Sequence, residues 1–312
     1  MTLVFEDRLC PLCGSSANSR LFAEARFDPS RLDEMSFSSR KTPEGMHHRL
    51  LECTRCDLLY ASPVPTLEST NSAYRDAGYS SSEEARYAAA TYATLVERIE
   101  TALPDLRGAV DIGAGDGAFL HRLVAAGFDR AVGFEPSDAP RAAAAADVRA
   151  LIRPEPFVAG VLPDEAFTLV SCLQTIEHVL DPLGLCRDAA RALAPAGAML
   201  IVCHDRRALS ARILGRRSPI FDIEHVQLFS TKSVGVLLRA AGFERVEVHP
   251  LRNRYPLRYW LQLAPFAGRL KAAVRASLQS VRLDGRPVSL GAGNVFAVAY
   301  KPAPDASGLG AD

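Results

Sequence analysis

From residue 108 onward, short apolar runs alternate with segments long enough to form helices, and this alternation constrains the fold more than any other feature of the sequence. Apolar runs of this kind are typical of strands in a parallel sheet that helices cover on both faces. The runs lie at 109–112, 131–134, 150–152, 167–173, 199–203, 243–248 and 294–300. We therefore predict an α/β fold with a seven-stranded, mainly parallel, doubly wound sheet, and a helical insertion at 255–278 before the last strand.

Four of the seven cysteines lie near the start of the chain as two C-x-x-C pairs, Cys10 with Cys13 and Cys53 with Cys56. Each pair can direct two thiolates at one tetrahedral zinc ion, and four protein ligands leave no open position for chemistry. Thirty-nine residues separate the pairs, so a small β-rich ribbon with an inserted loop must bring them together. The sequence predicts a structural zinc site, with four buried or redox-active thiols as the alternative. The other three cysteines, at 172, 186 and 203, are predicted to lie in the core.

The 312 residues allow about two domains at ~150 residues each. We predict a zinc-binding, ribbon-like domain at 1–66 and a connector at 67–100 that contains a docking helix and a tyrosine-bearing segment covering the substrate. The main domain is predicted at 101–302 and a disordered tail at 303–312.

The 36 basic and 36 acidic residues cancel, so no overall field draws the protein to nucleic acid or to an anionic membrane. Glu6 and Asp7 stand where a secretory peptide needs an apolar run, and the uncharged stretch at 287–300 is too short to span a bilayer. We expect a cytoplasmic protein with a small-molecule substrate, no nucleic-acid partner and no transmembrane segment.

The sequence VDIGAGDG at 110–117 closes the first predicted strand of the sheet and opens a helix. Its glycines allow a ligand to approach backbone amides at the start of the helix, and Glu135 ends the next strand, where it can accept hydrogen bonds from two ribose hydroxyls. Asp111 and Asp116 flank the turn and would repel a phosphate. The loop therefore suits a nucleoside ligand that carries an ammonium group and a sulfonium.

These residues resemble the class I S-adenosylmethionine-dependent methyltransferases, as do QTIEHV at 174–179 and the Asp-Pro at 181–182. The resemblance covers about 108–301 and implies a Rossmann-like fold. Family members often carry an acid after strand three that meets the adenine, and Glu155 is the substitute that this sequence offers there. The implied cofactor-binding residues are Asp111, Gly113, Ala114, Gly115, Asp116, Gly117, Glu135, Pro136 and Gln174.

The cysteine segments, CPLCG at 10–14 and the stretch at 51–65, resemble the N-terminal zinc-binding domain of certain sugar and natural-product methyltransferases. Residues 221–230 resemble the segment after strand five in that family, where an adjacent Glu-His pair is implicated in proton abstraction. The resemblance implies His225 as the base, with Glu224 as its orienting carboxylate or a substrate anchor, and His178 as the second candidate. Tyr79 resembles a tyrosine that closes over the site. As alternatives, the histidines serve only packing, capping or the cofactor pocket, and Tyr79 is a surface aromatic.

The function expected from these features is methyl transfer from S-adenosylmethionine to carbon or oxygen of a small polar metabolite, such as a sugar or a nucleotide-linked sugar or natural product. Two rivals stay open: an RNA methyltransferase, which requires a basic surface, and a cofactor-binding scaffold without turnover. The arginines at 252, 254 and 258 either hold a phosphate-bearing substrate, meet a membrane surface, or form a solvated helix face.

Overall fold

The computed structural model describes residues 3–39, 41, 44–264 and 268–303. The tail predicted at 303–312 lies outside the described residues except for its first residue. Within the described ranges, no helix combines the length and the apolar character needed to cross a bilayer.

The first part of the chain forms short strands followed by two helices. These are β1 (Phe5–Glu6), β2 (Ser19–Ala23), β3 (Leu50–Cys53), β4 (Leu58–Ala61), β5 (Val64–Pro65), α1 (Leu67–Arg75) and α2 (Ser82–Ile99). The buried face of α2, which includes Ala88, Tyr92 and Leu95, shares one hydrophobic core with residues such as Phe119 and Leu200.

The remainder alternates strands and helices. Its elements are β6 (Ala109–Ile112), α3 (Ala118–Ala125), β7 (Ala131–Phe134), α4 (Asp138–Ala143), α5 (Ala146–Arg149), β8 (Ile152–Arg153), β9 (Phe167–Leu173), α6 (Pro182–Ala192), β10 (Leu193–His204), α7 (Leu209–Leu214), β11 (Gln227–Leu228), α8 (Thr231–Ala240), β12 (Glu244–Pro256), α9 (Leu257–Leu263), α10 (Gly268–Ser280) and β13 (Pro287–Tyr300).

Seven of these strands form one sheet in the order β12-β13-β10-β9-β6-β7-β8. The pairs from β10 to β8 are parallel, and β13 runs antiparallel to both of its neighbours. The predicted Rossmann-like, doubly wound α/β fold is therefore confirmed. Strand β9 lies at its centre and is buried along its whole length, which explains why its apolar run has no polar alternation.

The structure departs from the sequence prediction in the hairpin of β12 and β13. Both strands extend well beyond the apolar runs, and β13 begins at Pro287 instead of residue 294. The added length of β13 is exposed or half-buried and contains Gly291 and Gly293, so it carries no apolar signal. The hairpin leaves α9 and α10 as the helices of the predicted insertion.

The cysteine-bearing strands belong to a second sheet in the order β11-β4-β3-β2. Its outer strand, β11, comes from far along the chain, where Gln227 pairs with Tyr60 and Leu228 with Leu59. The small N-terminal sheet is therefore completed by a segment that lies just after the predicted base, His225.

Arg206 joins the two parts of the molecule through buried polar contacts. Its Nε donates to the backbone carbonyl of Asp57 at 2.9 Å, and its Nη2 donates to Glu52 Oε1 at 2.7 Å. Arg206 and the neighbouring Arg207 both contact the carboxylates of Glu52 and Asp57. The side chain of Arg207 is 52% exposed, whereas that of Arg206 is 2% exposed. The two arginines thus form a matched pair with similar partners and different burial.

We expect Arg206→Ala to lower the free energy of unfolding by about 3 kcal/mol, because a buried carboxylate loses its partner. This value is the lower end of the range for broken buried ion pairs, because Arg20 and Arg207 still pair with Glu52 in the variant. Arg207→Ala should cost less than about 1 kcal/mol, as exposed pairs do. Urea unfolding of both variants measures the difference, and equal losses would contradict a role for burial.

Candidate active site and cysteine cluster

A cavity of about 880 Å³ opens at the carboxyl ends of the parallel strands β6, β7, β9 and β10. Its wall is formed by the glycine loop, the loops after β9 and β10, part of α9, and the region around α1. Doubly wound sheets bind their ligands at this edge. The predicted catalytic residues and nearly all of the predicted cofactor residues therefore line a single space.

The glycine loop has backbone conformations that other residues rarely adopt. Gly113 has a φ of +77°, and a Cβ added there would lie 2.2 Å from Thr175 Oγ1. Gly115 has a φ of +57° with nothing within 4 Å of an added Cβ, so its backbone borders open space. The loop can therefore hold a ligand against its amides, directly before α3.

Two carboxylates stand beside this loop. Glu135 accepts hydrogen bonds from the backbone amides of Gly115, at 2.9 Å, and Ser137, at 2.8 Å, and burial raises its pKa although these bonds partly offset the effect. Asp111 accepts a bond from Ser171 Oγ at 2.7 Å, and burial raises its pKa to about 7. Each carboxylate oxygen retains a further acceptor position for a ligand.

Gln174 gives a direct indication that a ligand belongs in the cavity. Its backbone amide donates to Val202 O at 2.7 Å, and its φ is +56°. Its side-chain Nε2 is buried, yet it has no hydrogen-bond partner among the described residues. A buried donor without a partner costs about 1–3 kcal/mol, so a ligand that accepts this bond is stabilised.

All predicted cofactor residues except Gly117 line this cavity. Gly117 instead packs against Val148, with a φ of +73° that the turn before α3 requires. The suggested adenine contact also lies elsewhere, because Glu155 is 3.8 Å from Arg153 Nε while Pro156 and Phe157 line the cavity.

Three histidines meet on the opposite wall. The ring centroids of His178 and His225 are 4.9 Å apart, and those of His204 and His225 are 5.1 Å apart. The Nδ1–H group of His225 donates to Ile220 O at 2.8 Å, which leaves Nε2 free to accept a proton. Burial, together with the neighbouring His178 and His204, lowers the pKa of His225 well below its ordinary value.

Glu224 contacts His178 more closely than the predicted orienting role toward His225 implies. Its carboxylate lies 3.9 Å from His178 Nδ1 and its backbone carbonyl lies 3.1 Å from the same nitrogen, whereas Nδ1 of His225 is bonded to Ile220 O. Burial raises the pKa of Glu224 well above its ordinary value, although Lys41 opposes the shift. The Lys41 ammonium thus supplies positive charge beside the Glu224 carboxyl group.

Two tyrosines lie near the histidines. The Tyr74 hydroxyl is 2.8 Å from His178 Nδ1, and burial with the nearby carboxylates raises its pKa well above the ordinary value. The hydroxyl therefore stays protonated. Tyr79, which the sequence analysis proposed as a cover, lines the cavity.

Sequence reasoning missed two further features of this wall. Lys41 Nζ lies 2.8 Å from Asp222 Oδ1 and 2.9 Å from Glu44 Oε1, and no local signal connects positions 41 and 222. His204, at the end of β10, is hydrogen-bonded to Glu177 at 2.9 Å. Glu177 lies in the QTIEHV segment at 174–179, so that segment is the sequence feature that could have pointed to Glu177 as a site residue.

The four N-terminal cysteines form a cluster. Their Sγ atoms all lie within 4.8 Å of one another, and those of Cys13 and Cys53 are 3.7 Å apart. Burial raises the pKa of the Cys10 thiol to about 12, so the group needs a cation to become a thiolate. The donor set fits one tetrahedral metal ion of the kind that prefers sulfur ligands.

A family model described as a methyltransferase domain matches residues 84–248. The match spans more than half of the 312 residues and includes the glycine loop, Glu135 and the histidine wall. The chain belongs to this methyltransferase family. With the seven-stranded sheet, this makes the protein a class I S-adenosylmethionine-dependent methyltransferase.

No curated protein sequence matches this methyltransferase. Among solved structures, it is similar to a possible histamine N-methyltransferase of Thermotoga maritima, with 23% identity, a TM-score of 0.46, and coverage of 70% of this chain and 90% of that one. An Archaeoglobus fulgidus S-adenosylmethionine-dependent methyltransferase has 16% identity, a TM-score of 0.47, and coverage of 70% and 97%. Likenesses at this level say nothing about the acceptor.

We predict that Glu135→Ala weakens S-adenosylmethionine binding about 10- to 150-fold, which corresponds to the ~1.5–3 kcal/mol of hydrogen bonds to a charged group. Titration calorimetry measures the affinity. Glu155→Ala is the matched control, since Glu155 lies outside the cavity wall and should bind the cofactor as the wild type does. Unchanged affinity in Glu135→Ala would remove Glu135 from the cofactor site.

Proposed function

We propose that this methyltransferase acts on carbon or oxygen of a small polar acceptor, such as a sugar or a nucleotide-linked sugar or natural product. The observation that carries the proposal is the single cavity that joins the glycine loop to the histidine wall. S-adenosylmethionine, when bound, supplies an electrophilic methyl group. An acceptor that is a hydroxyl or a carbon acid must lose a proton, and the histidines provide bases for that step.

The glycine loop and its two carboxylates are proposed to hold the cofactor. Asp111 and the loop at 113–117 would bind the methionine portion, and Glu135 would accept bonds from the ribose hydroxyls. The unpartnered Nε2 of Gln174 and the open space beside Gly115 support this placement. Pro136 forms part of the same wall.

His225 is proposed as the first candidate for the base and His178 as the second. His225 is supported by its bond to Ile220 O, because a protonated Nδ1 leaves the lone pair on Nε2. Its lowered pKa keeps the ring neutral at cytoplasmic pH, which a base requires before the reaction. Glu224 anchors the acceptor or supports His178, and Tyr79 helps to enclose the substrate.

The rest of the cavity suits an acceptor with both polar and apolar surfaces. Tyr255, Tyr259 and Trp260 line one side, and the Lys41–Asp222 ion pair lies on another. Two of the three arginines that the sequence analysis suggested for phosphate have other partners: Arg258 pairs with Glu83, and Arg252 donates to a backbone carbonyl. The proposal therefore assigns no phosphate-binding role to these two arginines.

The cysteine cluster is proposed to bind one structural Zn²⁺ through Cys10, Cys13, Cys53 and Cys56. Four thiol ligands within 4.8 Å close the coordination shell, so the ion stabilises the N-terminal sheet and takes no part in the chemistry. Reduced thiols agree with the proposed cytoplasmic location.

Protein purified without added metal should contain one zinc per chain by elemental analysis. Cys53→Ser should lose the ion and lower methyl transfer more than cofactor affinity, because Cys53 ends β3, β3 pairs with β4, and β4 pairs with β11 beside His225. Cys186→Ala, in α6 away from the cluster, should keep its zinc. A fully folded wild type without metal would disprove the zinc assignment.

We predict that His225→Ala lowers turnover at least about 100-fold, since loss of a general base costs ~10² to 10⁴ in rate. Cofactor affinity should persist, and the acidic limb of the pH profile should disappear. The assay follows radiolabelled methyl transfer to a panel of nucleotide sugars and glycosylated small molecules. His249→Ala, an exposed histidine on β12, is the control. If His178→Ala loses turnover and His225→Ala does not, His178 is the base instead of His225.

A further inference from the structure

Glu177 and His204 form a hydrogen-bonded pair that the proposed reaction has not yet used. Glu177 is completely buried, and its Oε1 accepts the backbone N–H of His204 at 2.7 Å and the ring Nδ1–H at 2.9 Å. Two donors from one residue fix both the carboxylate and the imidazole. The ring is thereby held with its proton on Nδ1.

The backbone around Glu177 is also fixed. Its carbonyl accepts the amides of Val226 at 3.1 Å and Gln227 at 3.2 Å. Burial alone would raise the pKa of Glu177, but the bond from His204 and the charges of the nearby imidazoles lower it to about 2. The carboxylate is therefore ionised at neutral pH.

Glu177 holds Nδ1 of His204, which leaves the other ring nitrogen, Nε2, for a different partner. The residue lines the cavity, and its side chain is 24% exposed, against 17% for the side chain of His178. His225 is 8% exposed, and its ring centroid lies 5.1 Å from that of His204. His204 is thus the histidine of this wall that is most accessible to a ligand.

The electrostatic surroundings differ between the two histidines. His225 is bonded to a neutral carbonyl, and burial and two other imidazoles oppose a positive charge on its ring. His204 instead donates to an anionic carboxylate, that of Glu177, at 2.9 Å. The titratable groups around this pair are His178, His225, Tyr74 and the thiols of Cys172 and Cys203, with Asp222 and Glu224 beyond them.

We propose that His204 and Glu177 act as a proton-accepting dyad in the methyl transfer, an inference that rests on the proposed function. The acceptor O–H or C–H bond breaks, and its electron pair forms the new bond to the methyl carbon. The bond from that carbon to the sulfonium sulfur breaks at the same time and leaves its electron pair on sulfur, so that S-adenosylhomocysteine is released. The proton ends on Nε2 of His204, directly or by way of His225. Glu177 is the positioning residue, because it fixes the tautomer and balances the new positive charge.

The tautomer of His204 is measured first, by nitrogen NMR of histidine-labelled protein without any added ligand. His204→Asn identifies the resonances by their loss. In the wild type, the ring should carry its proton on Nδ1, and Glu177→Gln should shift the population toward the Nε2–H form. A wild-type ring protonated on Nε2 would overturn the proposal. If Glu177→Gln fails to fold, the wild-type tautomer still decides the point.

Measurement of the turnover of His204→Asn then distinguishes a catalytic role of His204 from a purely structural role. Asparagine can still donate to Glu177, so a purely structural role should survive, but it cannot take up a proton. We expect kcat to fall about 10² to 10⁴-fold, with KM and cofactor affinity changed less than about threefold and with the acidic limb lost. His249→Asn should match the wild type.

The outcomes distinguish this inference from the proposed function. An active wild type with an equally active His204→Asn overturns the dyad and leaves the methyl transfer intact. Loss of turnover in both His204→Asn and His225→Ala supports transfer through His225, whereas loss in His204→Asn alone supports direct transfer to His204. If the wild type methylates no acceptor of the panel, the proposed function fails and the dyad fails with it.

Discussion

The arrangement of the active site depends on the hydrogen bonds of the Gln227 side chain. Its buried Nε2 donates to Ile176 O at 2.7 Å and to Val179 O at 2.6 Å, and its Oε1 accepts a bond from Arg8 at 3.1 Å. Its backbone belongs to β11, which completes the N-terminal sheet. One residue therefore fixes the loop after β9 and attaches it to the cysteine-bearing part of the chain. The N-terminal region is thus a structural part of the active-site wall.

The sequence predicts those parts of the fold that are encoded locally. The bounds of β6, β7 and β9 coincide with apolar runs, and Asp181 and Ser230, residue types that favour helix starts, cap α6 and α8. The outer part of β13 was missed because its side chains are exposed or half-buried, and that of β12 because its buried residues alternate with exposed ones and include the polar Asn253. The two residues of β11 were missed because their strand exists only through a partner at 59–60.

The same distinction applies to the site. The glycine loop and the cysteine pairs depend on short spacings, so their residue types and order were sufficient to predict them. His204 follows an apolar run, and its sequence context is typical of the end of a strand. Only the tertiary fold brings Glu177 into contact with it. Lys41 and Asp222 come from different parts of the chain, so their ion pair has no sequence signature. The choice among the three histidines therefore depends on their partners.

Carboxyl groups of one chemical type acquire different roles in this cavity because their hydrogen-bond donors differ. Glu177, with two donors from His204, has its pKa lowered to about 2. Burial raises the pKa of Glu224, and Asp222 raises it further, so its carboxyl remains protonated to a higher pH and can donate a hydrogen bond. Separation of pKa values between neighbouring groups is how one site supplies both an acid and a base. An acceptor placed between these groups would meet a proton acceptor on the His204 side and a donor on the Glu224 side, which orients it for removal of one particular proton.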